Sequence, residues 1–223
     1  MIKRFNIIIV AVALIFSSGC STVKNLLSAK DAEEAIKEML SIGTMLSKKD
    51  AFSKATLIDA LFPEDVKKVL NTLETLGLSK EVDRFATTLG TAAEQTAEKS
   101  VPVFLLGIKQ MNFRDAVGIV KKGGTAATDY LRQSIGDTLR RSITPVMRSA
   151  LQEYKLESEW NKLVAPVKLF AGDKLNLDLS NLMSGLVANI MFNKMAEKER
   201  DVRTKAEERK STLLQKVFGT TWQ

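Results

Sequence analysis

Pro63 to Thr96 read PEDVKKVLNTLETLGLSKEVDRFATTLGTAAEQT, and this stretch decides the fold class. Proline suits the first turn of a helix, and apolar residues recur after it at helical spacing. Gly77 is a natural helix stop, and Ser79 is a natural cap for a second helix with the same periodicity. Because only a short turn separates them, the two helices are predicted to form an antiparallel hairpin.

The segments on either side of this hairpin show the same helical period. One helix is predicted from Asp31 to a stop or kink near Gly43. Later helices are predicted to begin at or near a cap or first-turn residue, namely Ser100, Asn112, Thr125, Ser158 and Asp178.

Glycine and proline are expected to divide these later segments. Gly123 and Gly124 are predicted to end one helix, and Gly136 is predicted to separate two more. Pro145 is expected to bend or interrupt the segment after Gly136, because its ring removes a backbone donor.

The C-terminal part is predicted to contain the longest helix, from Asp178 to about Glu207. Residues 165–180, APVKLFAGDKLNLDLS, are interpreted as a loop or short extended piece before it. The later turns, KMAEKERDVRTKAEERK at 194–210, alternate in charge and are predicted to face solvent. The tail at 211–223 is apolar again and is predicted to fold back and dock.

No segment shows a convincing two-residue strand period, and no internal repeat stands out. The predicted fold is therefore all-α, a multi-helix bundle of helical hairpins with a long C-terminal helix. Residues 31–223 are predicted to form a single helical domain, which the chain length allows.

The first twenty residues have the pattern of an export signal. A positive head at Met1–Arg4 precedes 12 mostly apolar residues at Phe5–Phe16, and small residues follow up to Cys20. The apolar run is shorter than the ~20 residues of a membrane-spanning helix. Residues 1–19 are thus predicted to be a cleaved signal peptide and residues 20–30 a tether.

The small residues before Cys20 resemble the lipobox of bacterial lipoproteins. This resemblance implies that the thiol carries diacylglycerol, that the chain is cleaved before Cys20, and that the new amine is acylated, with palmitate expected. Each buried methylene contributes about 0.8 kcal/mol, so two or three chains would hold the protein firmly on a membrane. The alternative is an ordinary secretory signal with Cys20 as a bystander.

The residue after Cys20 bears on the membrane involved. Ser21 is unlike the aspartate that commonly retains lipoproteins at the inner membrane. We therefore expect an outer-membrane protein, lipid-anchored and facing the periplasm.

The composition excludes several kinds of catalysis and metal binding. The chain has no histidine and one cysteine, so Ser-His and Cys-His catalysis are impossible and the commonest zinc and iron sites lose their ligands. No catalytic, cofactor-binding or metal-binding residue is predicted, and no cofactor is expected. Without Lys3 and Arg4 of the leader, the net charge of +7 falls to +5, a mild excess that fits nearness to anionic lipid or polymer and equally fits nothing specific. The chain has only 14 aromatic residues and no basic stripe interleaved with them, which argues against a nucleic-acid partner.

Two short loops resemble ligand sites. Lys121, Lys122, Gly123, Gly124 and Thr125 form a candidate anion site, since free amides at a helix N-terminus attract anions. The lysines precede the glycines, unlike a P-loop, and a structural junction between two helices is the favoured interpretation.

The second loop contains Asp173, Asn176 and Asp178, the only candidate for a calcium site. It lacks the glycine and terminal glutamate of a calcium loop, so a helix-cap loop is favoured. Six further charged residues flank apolar stripes and could form a buried network, line a pocket or, by default, pair on the surface: Arg114, Asp115, Asp129, Arg132, Arg140 and Arg141.

The order of these segments resembles a family of bacterial lipoproteins known as domain of unknown function 4197. The stretches that carry the resemblance are LFPEDVKKVLNTLETLGLSKEVDRFATTLGTAAEQTAEKSVPVF, MNFRDAVGIVKKGGTAATDYLR, ITPVMRSAL and LLQKVFG. The resemblance implies an exported, mostly helical domain and implies no activity.

The functional expectation is a non-catalytic binding or scaffolding module on the outer membrane, with an envelope protein or a lipid as partner. One alternative is a carrier of a hydrophobic or lipid-like ligand, for which Val101–Met111 and Leu179–Phe192 would line a cavity of several hundred Å³. An enzyme without histidine is the other alternative.

Overall fold

The computed structural model describes residues 26–46, 52, 79–171 and 178–222. Three features of the sequence lie outside this part of the chain: the leader with Cys20, the helix predicted over 63–77, and the loop residues Asp173 and Asn176.

Seven α-helices and one short 3₁₀ turn account for most of the described residues. The helices are α1 (Ala29–Met45), α2 (Ser79–Gln110), α3 (Ala116–Lys122), α4 (Ala126–Glu153), α5 (Leu156–Ala171), α6 (Leu179–Thr204) and α7 (Thr212–Phe218), with the 3₁₀ turn at Ala206–Glu208. These residues contain no strand, which confirms the all-α prediction. No helix among them is long and apolar enough to cross a bilayer.

Helix α6 is the central element of the bundle. It packs along α1 on one side and α4 on another, and α2 packs against α4. Buried residues occur around most of its circumference, including Met183, Val187 and Met191, as expected of a helix that is covered on several sides. The position of α6 makes it the scaffold on which both sites described below are built.

Close contact between α1 and α6 depends on Gly43. A Cβ atom at this position would lie 2.7 Å from the Cα of Met195, so only glycine allows the two backbones to approach this closely. Helix α1 ends at Met45, two residues past Gly43, so the predicted stop near this glycine is confirmed to within two residues. The helix begins at Ala29, where the Ser28 hydroxyl accepts a hydrogen bond from the Asp31 amide at 3.0 Å.

The predicted break at Ser100 is wrong, because α2 runs unbroken through Pro102. Its buried residues keep helical spacing across the proline, at Ala93, Ala97, Val101, Phe104 and Ile108. A continuous helix leaves this stripe on one face, and the packing outweighs the single backbone hydrogen bond that proline removes.

The predicted separation at Gly136 and the predicted interruption at Pro145 are wrong for the same reason, while a bend at Pro145 stays a prediction. The helix continues through Gly136 and Pro145, with Leu139, Ile143 and Met147 buried on one face.

Two predicted helix starts are displaced. Helix α3 begins at Ala116 with Asp115 as its cap, accepting from the Gly118 amide at 2.9 Å, so the cap is not Asn112. Helix α5 begins at Leu156, not after Ser158, and its span to Ala171 covers residues 165–171 that were predicted to be a loop.

The start of α6 and the boundary between α3 and α4 are confirmed. Helix α6 ends at Thr204, short of Glu207, and the prediction that it is the longest helix is wrong, because its 26 residues are fewer than the 32 of α2. Asp178 caps α6 by accepting from the Asn181 amide at 3.1 Å. Gly123 and Gly124 separate α3 from α4 with φ values of 75° and 60°, a region that favours glycine. The tail docks as expected, because α7 packs against α1 and α6.

Candidate functional site

A groove between α4 and α6 is a concave feature of the described part of the chain. It is open to solvent and has a volume of about 500 Å³. Its main lining residues are Arg132, Ile135, Gly136 and Arg140 from α4, with Gly185, Ala188, Asn189 and Phe192 from α6.

Two glycines line the groove where the two helices meet, and each lies opposite a large side chain of the other helix. A Cβ built on Gly136 would lie 3.6 Å from Cγ of Arg132 and 3.8 Å from the Phe192 ring. A Cβ built on Gly185 would lie 3.9 Å from Cδ of Arg140. These contacts also show that α4 and α6 run antiparallel, since residue 132 meets 192 and residue 140 meets 185.

Arg132 is held at one end of the groove and is partly buried. Its guanidinium lies over the Phe192 ring, 4.9 Å from the centroid, and its Nη2 donates to Oδ1 of Asn193 at 3.1 Å. Its Nε is buried and meets no acceptor among the described residues. No carboxylate of the described chain pairs with it, so its positive charge lacks a counterion within that part of the protein.

Arg140 lies at the other end of the groove, with its aliphatic stem near Gly185. Its Nε is 3.9 Å from Oδ1 of Asp137, a long contact, and the Asp137 side chain is 85% exposed. An exposed pair of this kind neutralises little of the positive charge. The seven steps of the helix from Gly185 to Phe192 span about 10 Å along α6, which approximates the distance between the two ends.

The predicted anion site at the junction of α3 and α4 faces a buried carboxylate of the chain itself. Glu199 of α6 is fully buried. Its side chain accepts hydrogen bonds from the amides of Ala127 and Thr128, at 2.9 and 2.8 Å, and from the Thr128 hydroxyl at 2.8 Å. An anion at a helix N-terminus is favourable, and here Glu199 provides it.

Arg203 completes this arrangement one turn further along α6. It donates to Oε1 of Glu199 from Nε and Nη2, at 3.0 and 2.8 Å. It also donates to the last carbonyls of α3, from Nη1 to Val120 at 2.8 Å and from Nη2 to Ile119 at 3.2 Å. The Glu199–Arg203 pair therefore joins the end of α3 and the start of α4 to the central helix.

The five residues of the predicted anion site have separate places in this junction. Lys121 and Lys122 are exposed in the last turn of α3, where cations suit the helix dipole. The Thr125 hydroxyl donates to Oδ2 of Asp129 at 2.9 Å. Gly123 and Gly124, with Lys121, border a second cleft of about 290 Å³. Anion binding here stays a prediction, and two of the amides that it would use are engaged by Glu199.

The sequence interpretation missed the Glu199–Arg203 pair. Residues 194–210 were predicted to face solvent, and this is wrong for Lys198, Glu199 and Val202, which are buried. The available signal was the spacing of Met195, residue 199 and Val202, which continues the apolar stripe of α6 beneath the charges.

Ion pairs at the C-terminal end of the bundle lower several carboxyl pKa values. The Lys198 ammonium pairs with Glu208 and lowers its pKa, and Lys205 lowers the pKa of Asp201 from 2.7 Å away. Lys216 of α7 lies 2.7 Å from Asp31 of α1 and lowers the pKa of that carboxyl.

The six charged residues singled out in the sequence do not form one network. Arg132 and Arg140 line the groove, while Asp115 and Asp129 make the local contacts described above. Arg114 and Arg141 are exposed.

The remaining predicted site residues are placed as follows. Asp178 is a helix cap, and no group of three or more acidic or cysteine side chains in the described residues could hold a metal ion. Of the two segments expected to line a cavity, the one at 179–192 contributes to the groove. Residues 101–111 contribute to the core, where Phe104 meets Phe192 edge-on with centroids 5.5 Å apart.

The fold and the groove define a class of protein: an all-helical bundle around one buried helix, with an arginine at each end of a surface groove. The chain belongs to the family described as "Protein of unknown function (DUF4197)", which matches residues 26–219. This confirms the family resemblance of the sequence. No curated protein and no solved structure matches the chain.

Proposed function

We propose that this protein is a lipid-anchored, non-catalytic binding module of the cell envelope whose binding site is the groove between α4 and α6. The groove is the observation that carries the proposal. An open concavity of about 500 Å³ that is lined by both polar and apolar groups has the size of a ligand or partner site.

The leader of the sequence supports the anchoring. Residues 1–19 have the pattern of a signal peptide, and the small residues before Cys20 resemble a lipobox. Since an extended chain spans at most about 3.6 Å per residue, the residues from Cys20 to Ser28 can extend no more than roughly 30 Å. A lipid at Cys20 would thus hold α1 close to the bilayer, and Ser21 favours the outer membrane over the inner membrane.

A Cys20→Ser variant tests the anchoring. We expect the wild-type protein to sediment with outer membranes and to require detergent for release, whereas the variant should be recovered in the soluble fraction. Mass spectrometry of the wild-type N-terminus should show a chain that begins at a triacylated Cys20. A wild-type chain that begins elsewhere, or that is soluble without detergent, would remove the anchoring from the proposal.

A photo-crosslinking residue at Asn189 tests the binding site. Asn189 is exposed and lines the groove, so a ligand or partner in the groove should be captured there in living cells. The same residue at Arg148, also exposed but outside the groove lining, is the matched control. Capture at both positions or at neither would contradict the assignment of the groove as the site.

Carriage of a hydrophobic or lipid-like ligand is a second candidate. The observation that favours it is the apolar part of the groove lining, which Ile135, Ala188 and Phe192 provide. A carrier would move its ligand between vesicles, whereas a scaffold would capture a protein at Asn189 and transfer nothing.

A further inference from the structure

The electrostatics of the groove indicate the kind of ligand that it takes. Arg132 is partly withdrawn from water, yet it has no carboxylate partner in the described chain. A charge that is partly desolvated and unpaired is unfavourable, and this cost is relieved when an anion binds. Arginine is suited to this role because its planar guanidinium can donate two parallel hydrogen bonds to a carboxylate or phosphate.

The guanidinium of Arg132 is also fixed in position before any ligand arrives. The Phe192 ring supports one face at 4.9 Å, and Asn193 accepts from Nη2 at 3.1 Å. A side chain that is already ordered loses less conformational entropy on binding.

The groove beside Arg132 offers both apolar and polar groups. Ile135 is partly buried and packs against the core, and the largely buried Ala188 and Phe192 form the opposite wall, whereas Gln133, Ser134 and Asn189 are polar and exposed. An ion that is entirely polar would leave the apolar part of this lining exposed to water, whereas a ligand with an apolar body would cover it.

We infer that the groove binds an organic anion with a carboxylate or phosphate head at Arg132 and an apolar body that extends toward Arg140. This inference rests on the proposed function, in which the groove is the binding site. Arg140 supplies further positive potential about 10 Å away, and the exposed Asp137 beside it only partly offsets that charge. A fatty carboxylate and the phosphate end of a lipid share this chemistry.

Four small molecules test separately how the charged head and the apolar body of a ligand contribute to binding. The lipidated protein is placed in lipid nanodiscs, and binding is measured by titration calorimetry with empty nanodiscs as the blank. Octanoate and octyl phosphate carry both parts, inorganic phosphate carries only the head, and 1-octanol carries only the body. We expect the first two to bind about tenfold or more tightly than the last two, since each lacks one of the contributing interactions. The stronger of the first two identifies carboxylate or phosphate as the head.

Three variants assign the binding to Arg132. Arg132→Gln should weaken octanoate and octyl phosphate about tenfold or more, and Arg132→Lys should retain part of that affinity because it keeps the charge. Arg148→Gln, an exposed arginine further along the same helix, is the control and should change nothing. Thermal unfolding of each variant shows that a loss of binding is not a loss of fold.

Specific outcomes would overturn the inference. It fails if octanol binds as tightly as octanoate, if Arg132→Gln binds like wild type, or if none of the probes binds. If the probes fail while Asn189 still captures a partner, only the ligand class is wrong. If Asn189 captures nothing either, the proposed binding site falls with it.

Discussion

Helix α6 contacts two arginines whose environments differ. Near its C-terminal end, Arg203 pairs with the fully buried Glu199 and donates to two backbone carbonyls. Near the groove, Arg132 of α4 lies against α6 with one amide acceptor and a ring, and with no carboxylate in the described chain. The guanidinium of Arg203 finds its acceptors within the protein, whereas the Nε of Arg132 has no acceptor among the described residues. This difference distinguishes a structural junction from a candidate ligand site.

Removal of Glu199 should break the junction and cause the largest loss in the free energy of unfolding. Glu199→Ala leaves Arg203 unpaired and removes the acceptor for two amides and a hydroxyl of α4. Loss of one partner from a buried pair costs about 3–5 kcal/mol, and we expect a destabilisation of that order. Urea unfolding of chains that carry Cys20→Ser measures it.

Glu197→Ala is the matched control for this experiment, because Glu197 is two residues away on the same helix and is exposed. Its effect should stay within about 0.5 kcal/mol. Equal effects for the two variants would show that Glu199 contributes no more than a surface carboxylate.

Removal of Arg203, the other partner of the buried pair, should lower the free energy of unfolding by less. In an Arg203→Met variant, Glu199 keeps its three donors from α4, so the buried charge is still partly compensated. We expect a loss of about 2 kcal/mol, in the range of hydrogen bonds to charged groups.

The double variant with Glu199→Ala then measures the coupling. The two losses should fall short of additivity by about 0.5–3 kcal/mol, because the residues belong to one network. Additive losses would mean that the pair does not act as a unit.

Replacement of Arg132 should sharpen the comparison because its effect on stability should be smaller than that of Glu199→Ala. Arg132→Met removes one hydrogen bond and one cation–π contact, together worth about 1–2 kcal/mol at a partly exposed site. The same change should weaken anion binding in the groove about tenfold or more. A destabilisation as large as that of Glu199→Ala, measured by the same urea unfolding, would show that Arg132 is structural and that the contrast between the two arginines is wrong.

The sequence was sufficient for the fold class, because apolar residues at helical spacing and caps such as Asp178 are local signals. Helix continuity was harder to predict. Pro102 and Pro145 are local signals for a break, yet the buried stripes at residues 93–108 and 139–147 continue across them and are covered by other helices.

The sites depended even more on distant contacts. Arg132 and Arg140 were recognised as residues that could line a pocket, but their position opposite Gly185 and Phe192 follows only from the antiparallel packing of α4 and α6. Glu199 was hidden in an alternating charge run. Its partners at residues 127 and 128 are more than 70 positions away in sequence, and no local pattern connects them.

Loss of the exposed pair between Lys216 of α7 and Asp31 of α1 should have the smallest effect on stability, in contrast to loss of the buried pair. Lys216 lowers the pKa of Asp31 below its usual 3.8. A carboxyl group with a lowered pKa adds stability above its ordinary pKa, and this contribution is lost as the pH falls through the lowered value. Lys216→Met should therefore raise the pKa of Asp31 toward 3.8, as followed by NMR titration of its carboxyl carbon. Stability at pH 7 should change little, because an exposed pair is screened by solvent.

Added salt should remove the difference in the pKa of Asp31 between wild type and Lys216→Met. It should leave the loss of unfolding free energy caused by Glu199→Ala nearly unchanged, since buried pairs are screened far less. Equal sensitivity to salt in both cases would mean that the Glu199–Arg203 pair is accessible to solvent and is not the buried junction described above.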